Sequence, residues 1–279
     1  MKITYYGTAA AEGIPALFCE CPTCAEARRR GGKNVRTRSQ ALLDDTLLID
    51  YPADSYMHAL LYGMPLTGIS HCLITHAHAD HLYTDDFHMR AKGFAPVVPD
   101  GAETLHLYGS SRVKLALAET MFCRFGDENR LAFHELRHGS HYEIGGYRVT
   151  PLTALHDVHA GPFIYIIEKD GKALLYGNDT GIFPEQAWQT IREMGVRFDL
   201  VSLDCTAGNG PMNYDSHMNL ERNILVRDRL LAMGAADEKT VFCCNHFSHN
   251  GGGVLFEEFS EIALRAGFLT SYDGMTLEF

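Results

Sequence analysis

Cys72-Leu73-Ile74-Thr75-His76-Ala77-His78-Ala79-Asp80-His81 is the stretch whose reading decides the fold. An apolar run of the length of a buried strand ends in three imidazoles and a carboxylate within six residues. In extended chain, positions i and i+2 point the same way, so His76 and His78 are placed to grip one metal ion together. Asp80 and His81 are expected to open a helix over 80–91 and to serve a second ion beside the first. Histidine is 15 of 279 residues, so composition alone predicts such an H-x-H-x-D-H segment only about 0.003 times in a chain of this length. A paired-metal site is a device of hydrolases.

Two ions need more ligands than one segment supplies, and the rest must come from other strand ends. His156 follows the apolar run 149–155, Asp179 follows 173–178, and His246 follows 240–245. Each places a metal-competent side chain where a rigid scaffold presents its loops. Strand-like runs lie at 3–6, 42–49, 72–75, 105–107, 147–150, 163–168, 173–176, 200–203 and 241–244. Helical periodicity lies at 80–91, 111–122, 184–194, 220–232 and 254–266. This is the pattern of an α/β chain with two sheets packed on each other and helices outside. No repeat or linker interrupts it, so residues 1–279 are read as a single domain. The stretch 83–142 carries few site-like residues and is the candidate lid or homodimerisation element.

Hydrophobic residues make up 46% and charged residues 21% of the chain, ordinary globular values. A formal net charge of −11 argues against a nucleic-acid partner, which calls for clustered cations. The run Arg28-Arg29-Arg30 is read as a solvated helix end, with a local phosphate contact as the alternative. There is no run of 18 apolar residues and no apolar core of a signal peptide, so no membrane partner and a cytoplasmic location are expected. Of eight cysteines, Cys19, Cys21 and Cys24 cluster in Cys-Glu-Cys-Pro-Thr-Cys. Cys72, Cys123, Cys205, Cys243 and Cys244 lie in apolar surroundings and are expected to be inert core thiols.

The order H-x-H-x-D-H (76–81), His156, Asp179, His246 resembles the metallo-β-lactamase superfamily, over almost the whole chain. The resemblance implies an αβ/βα sandwich of two mixed β-sheets flanked by helices, the metallo-β-lactamase fold. It also implies that His76, His78 and His156 hold one metal, that Asp80, His81 and His246 hold the other, and that Asp179 bridges them. The N-terminal run Gly7-Thr8-Ala9-Ala10-Ala11-Glu12-Gly13-Ile14-Pro15, followed by Cys19, Cys21 and Cys24, resembles the PhnP-type phosphoribosyl 1,2-cyclic phosphate phosphodiesterases. That family binds a separate structural zinc through three such cysteines and a late histidine, here His249, three residues after His246. Three thiolates and one imidazole make a closed tetrahedral zinc site.

The same resemblance points to His217 as a catalytic histidine facing the substrate, with Asn219 capping the helix that follows. Asp204, ending the run 200–203, is placed to orient a ligand histidine. The family usually shows glycine soon after the aspartate of its Leu-Ile-Asp motif, whereas Asp50 is followed by Tyr51-Pro52. Asp50 is therefore expected to be a less secure support for the ligands.

The expected activity is that of a metal-dependent phosphodiesterase acting on a small, cyclic phosphodiester, with two divalent ions (zinc or manganese) and one structural zinc. On that reading the metal pair would supply the hydroxide nucleophile, and the resemblance implies that Asp179 would bridge the ions and His217 would protonate the leaving oxygen. Thioester, lactam and RNA 3′-processing hydrolases of the superfamily share the ligand set. A non-hydrolytic protein of the PqqB type shares the cysteine cluster.

Overall fold

Alternation along each strand assigns its side chains to one of three cores. The structure, a computed structural model, describes residues 1–121 and 130–279. The first sheet holds β1 (Lys2–Gly7), β2 (Gln40–Leu43), β3 (Leu47–Ile49), β4 (His71–Leu73), β5 (Leu105–Gly109) and β6 (Leu131–Glu135). The second holds β7 (Tyr142–Ile144), β8 (Tyr147–Thr153), β9 (Phe163–Lys169), β10 (Lys172–Gly177), β11 (Leu200–Asp204), β12 (Val241–Asn245) and β13 (Leu269–Thr270). The last strand, β14 (Met275–Glu278), returns to pair with β1, so the sheets read β14-β1-β2-β3-β4-β5-β6 and β13-β12-β11-β10-β9-β8-β7.

Ile3, Tyr5, Leu43, Ile49 and Leu73 meet Val149, Tyr165, Ile167 and Leu174 in the core between the sheets. The opposite faces are covered by helices, with α1 (Pro22–Arg30), α2 (Ser55–Tyr62), α3 (Ser111–Glu119), α4 (Glu185–Met194), α5 (Leu220–Ala232) and α6 (Phe256–Arg265) in chain order. Leu48, Ile74 and Leu107 pack against Val113 and Leu117 of α3. Ile164, Leu175, Val201 and Cys244 pack against Trp188 of α4, Leu230 of α5 and Phe259 of α6. Each large apolar side chain so buried contributes on the order of 1.5–3 kcal/mol, and the layers helix–sheet–sheet–helix follow from burying both faces of both sheets.

Several expectations are corrected. The run 42–49 is two strands, because Asp44 and Asp45 adopt φ of 45° and 60° and fold β2 back on β3; aspartate tolerates this region in hairpin turns. Asp80 and His81 do not open a helix. The backbone N–H groups of His81 and Leu82 both donate to the carbonyl of His78, closing a single turn. The carbonyl of His81 then accepts from Tyr51 N, and Tyr83 N donates to the Tyr51 carbonyl. These long-range bonds take the groups a helix would use, and only Thr84–Arg90 coils, as a 3-10 helix.

Within 83–142, β5 and β6 are strands of the first sheet. Residues 122–129 lie outside the described residues, and with them Cys123 and the end of the 111–122 helix. Cys72, Cys205, Cys243 and Cys244 are buried in the cores. Arg28 donates to the carbonyl of Cys19, while Arg29 and Arg30 pair with Glu26, and Arg30 also with Glu257 and Glu258, so the basic run is an ion-paired helix end. Among the described residues no helix is long and apolar enough to cross a membrane.

Candidate metal centre

Strand direction builds the site. In the second sheet β10, β11 and β12 run parallel, and β8, two antiparallel steps from β10, runs the same way. Their C-terminal ends therefore share one rim, where Asp204 closes β11 and His156, Asp179 and His246 stand just beyond β8, β10 and β12. In the first sheet β3 and β4 are parallel and deliver Asp50 and His76 at their common end. The two rims are joined where Phe163 N donates to the Thr75 carbonyl and Tyr165 Oη to the Ile74 carbonyl, at 2.8 and 2.6 Å.

All seven residues expected to serve the two ions converge there. His76 Nε2 lies 3.1 Å from Asp179 Oδ2 and 2.9 Å from His78 Nδ1, which is 3.2 Å from His156 Nε2. On the other side of Asp179, His81 Nε2 is 3.2 Å from Asp179 Oδ2 and 3.2 Å from Asp80 Oδ2, with His246 Nε2 3.8 Å from Asp179. One oxygen of Asp179 thus belongs to two donor sets, His76–His78–His156 and Asp80–His81–His246, each with donor atoms within 4.8 Å of one another.

Behind the donors sit hydrogen-bond partners that fix which ring nitrogen carries the proton. Asp50, fully buried, accepts from Thr75 N and Oγ1 and holds His81 Nδ1 at 2.7 Å. It is a firm support, against expectation. Asp50 itself makes the turn, at φ 65°, with Tyr51 following it. Asp204, also fully buried, lies 3.3 Å from His246 Nδ1 and 3.0 Å from His217 Nδ1. Thr206 Oγ1 donates to Asp204 and lies 3.0 Å from His246 Nδ1. With Nδ1–H donated outward, the lone pairs of His81 Nε2 and His246 Nε2 face the cluster. Both atoms are buried and make no hydrogen bond among the described residues. Orphaned buried nitrogens are rare, and a divalent cation would supply what these lack.

Electrostatics agree. Burial lowers the basicity of His76, helped by charge on His81, and holds His156 down at about 4 against the pull of Asp179. Both rings are therefore neutral ligands at pH 7. Burial opposes charge on Asp179 as well, yet His246 and His76 hold its carboxyl well below the ordinary range. Around His81 burial is outweighed by Asp80 and Asp50, which favour positive charge at that point. That field favours a cation in the same place.

His217 reaches the cluster from the loop before α5, with Nδ1 3.1 Å from Asp179 Oδ1 and 3.0 Å from Asp204 Oδ2. Burial disfavours its charged form, but Asp204 prevails and lifts its pKa to about 9. Asn219 caps α5, accepting from Arg222 N at 2.9 Å. A cavity of about 260 Å³ opens over these groups and is also lined by Glu12, Thr206, Tyr214, Ser248 and Asn250. Sequence reasoning missed those five. It also missed Asp157, 3.3 Å from His78 Nε2, although it directly follows the expected ligand His156.

A second donor set lies at the N-terminal loop. Cys19, Cys21 and Cys24 Sγ and a His249 ring nitrogen are within 4.8 Å of one another. His249 Nδ1 is 3.5 Å from Cys21 Sγ, and this contact holds the Cys21 thiol down at about 6. Three sulfurs and one nitrogen fit a tetrahedral ion.

Residues 49–236 match the family model of the beta-lactamase superfamily domain. No curated protein matches the sequence. Among solved structures, a diphosphatase of the PhnP family is 22% identical over 100% of this chain and 98% of its own, with a TM-score of 0.74. Zinc-bound PqqB from Methylobacterium extorquens is 15% identical with full coverage of both chains and a TM-score of 0.71. The short form of human tRNase Z is 15% identical over 100% of this chain and 99% of its own, with a TM-score of 0.65. These likenesses establish the fold.

Proposed function

The chain belongs to the β-lactamase superfamily as a hydrolase of the metallo-β-lactamase fold, and within that frame we propose that it is a dinuclear metal-dependent phosphodiesterase acting on a small, cyclic phosphate ester. The observation that carries the reading is the intact double donor set around Asp179, with orphaned imidazole nitrogens turned into it. His76, His78 and His156 would hold one divalent ion (zinc or manganese), Asp80, His81 and His246 the other, and Asp179 both. When bound, such a pair lowers the pKa of a water towards neutrality and neutralises charge that builds on a phosphate.

The chain's own residues do the rest. Asp179 fixes the separation of the donor sets, while Asp50 and Asp204 hold His81 and His246 in the ligating tautomer. His217, with Nδ1 tied to Asp204, keeps Nε2 for a proton that the leaving oxygen needs. General acids so placed contribute roughly 10²–10⁴ in rate. The second donor set, Cys19, Cys21, Cys24 and His249, would hold a structural zinc that pins the N-terminal loop to the rim.

The phosphodiester assignment is supported by that cysteine cluster and by likeness of fold to a PhnP-family diphosphatase. Elemental analysis of the purified protein followed by a turnover screen tests it. Three metal equivalents and faster hydrolysis of cyclic than of linear phosphodiesters are expected. Turnover confined to thioesters or lactams, or none with the metals in place, would overturn it.

A further inference from the structure

One carboxylate lining the cavity, that of Glu12, has no part in holding an ion. Glu12 sits on the turn of the N-terminal loop, where Gly13 N donates back to the Ala10 carbonyl at 3.0 Å. The loop is stitched to the rim, Ala10 N donating to the Phe247 carbonyl and Phe247 N to the Thr8 carbonyl. Glu12 Oε1 accepts from Ser248 Oγ at 3.0 Å and from Asn250 Nδ2 at 3.3 Å. Its other oxygen makes no hydrogen bond among the described residues, so the carboxylate is anchored by one oxygen and leaves the other to a ligand. It lies near His217 and Tyr214, close enough for its charge to raise the pKa of both. All three line one cavity, and His217 is the residue read above as the acid for the leaving oxygen.

No lysine or arginine among the described residues lines that cavity. The two arginines that touch its walls are already neutralised. Arg38 donates to the Ala11 carbonyl and pairs with Asp54, and Arg222 donates to the Tyr214 and His217 carbonyls and pairs with Asp215. A second phosphate on the leaving group would meet Glu12 with no lysine or arginine to answer it, the proton of His217 being kept for the leaving oxygen, which is a rejecting element. A hydroxyl there would find a free carboxylate oxygen, and charge-assisted hydrogen bonds of this kind discriminate strongly.

We propose that Glu12, braced by Ser248 and Asn250, selects a leaving group that carries a free hydroxyl and no second anionic group. The proposal rests on the phosphodiesterase reading above and narrows it from cyclic phosphates in general to those of uncharged polyols. Glycerol 1,2-cyclic phosphate, propane-1,2-diol cyclic phosphate and glycerol 1,2-cyclic phosphate 3-phosphate test it, since they differ only in the hydroxyl and the extra phosphate. The wild-type protein should favour the first over each of the others by about tenfold or more in kcat/KM. Glu12→Gln should narrow the discrimination against the extra phosphate, and Glu12→Ala should narrow both ratios. Calorimetric binding of the products, glycerol 1-phosphate against glycerol 1,3-bisphosphate, should follow the same order. Zinc content is measured alongside, because His249 Nε2 lies 3.8 Å from Glu12; if a variant loses zinc, the wild-type ratios alone decide. Equal use of the three substrates, preference for the doubly phosphorylated one, or ratios unmoved in zinc-replete variants would overturn the assignment to Glu12. Failure on all three and on bis(p-nitrophenyl) phosphate would instead remove the phosphodiesterase reading, and this inference with it.

Discussion

Replacing Asp204 by asparagine changes one atom and should disable two histidines. Asp204 Oδ1 accepts from the backbone N–H of Thr206 and Met218 at 3.0 and 2.8 Å, and an asparagine oxygen keeps both bonds. Oδ2 faces His217 Nδ1 at 3.0 Å, His246 Nδ1 at 3.3 Å and the Thr206 hydroxyl at 3.0 Å. An amide NH2 in that place points donors at donors. To relieve the conflict His246 must move its proton to Nε2, which is the atom turned towards the metal cluster. Loss of an outer carboxylate typically costs about 10–100-fold in metal affinity or activity. Because this one serves a ligand and the acid together, both quantities should fall, each by about that factor. The matching control is Asp157→Asn. Asp157 is 44% exposed and 3.3 Å from His78 Nε2, so solvent screens it and its loss should cost less than about threefold. Chelator competition gives the affinity of the weaker ion, and kcat at saturating metal gives the rest. If Asp204→Asn binds both ions like the wild type, or if Asp157→Asn suffers as much, burial and tautomer control are not what holds this centre.

Cys21→Ser should lower zinc content by one equivalent and depress the melting temperature, since a structural ion contributes folding free energy directly; unchanged zinc would remove that site. His217→Ala should keep its metals and lose about 10²–10⁴ in rate on alkyl phosphodiesters but far less on p-nitrophenyl esters, and equal losses on both would deny it the role of acid. Acid stability offers a test remote from the metals. His58 is fully buried between Gln40 and Thr37, and burial holds its pKa at about 4 against 6.5 in the unfolded chain. Between those values the unfolded state binds a proton that the folded state refuses, so stability falls as pH falls. Denaturant unfolding of His58→Gln should therefore lose about 2 kcal/mol less than the wild type between pH 7 and pH 5. Asp273, pushed up to about 6 by burial, acts in the opposite sense but is common to both proteins. Identical slopes would show that His58 is not the group responsible.

The fold was legible where strands are long and alternate, as in β8 to β12, and illegible where three-dimensional pairing decides. Two-residue β13 and three-residue β7 carry too few positions for a period to register. The helix expected from Asp80 failed because Tyr51, 30 residues before His81 and 32 before Tyr83, takes the backbone groups of both. Nothing local encodes that bond. The convergence of the donor residues was readable because histidines and aspartates standing directly after apolar runs are rare. Glu12, Ser248 and Asn250 were not, since a glutamate in a glycine-rich turn and two polar residues beyond His246 look like any solvated loop.

The backbone at the rim adds a reason why the ligands sit where they do. Asp50, Asp179 and His246 adopt φ of 65°, 52° and 62°, in the left-handed region that side chains ordinarily avoid. Each follows a buried strand, β3, β10 or β12, and each such conformation costs on the order of 1–3 kcal/mol unless its surroundings hold it. The surroundings do hold it, because the preceding strand is locked in its sheet and the carboxylate or ring is pinned by buried partners. His76, His81, Asp179 and His246 are 0–4% exposed, whereas His78 is 38% exposed. Most of the cage is therefore buried and braced by its surroundings, and His78 is its exposed wall. A braced donor set tunes little through its own movement, so on the proposed reading selectivity among substrates would fall to the loops around the mouth, where Glu12 stands.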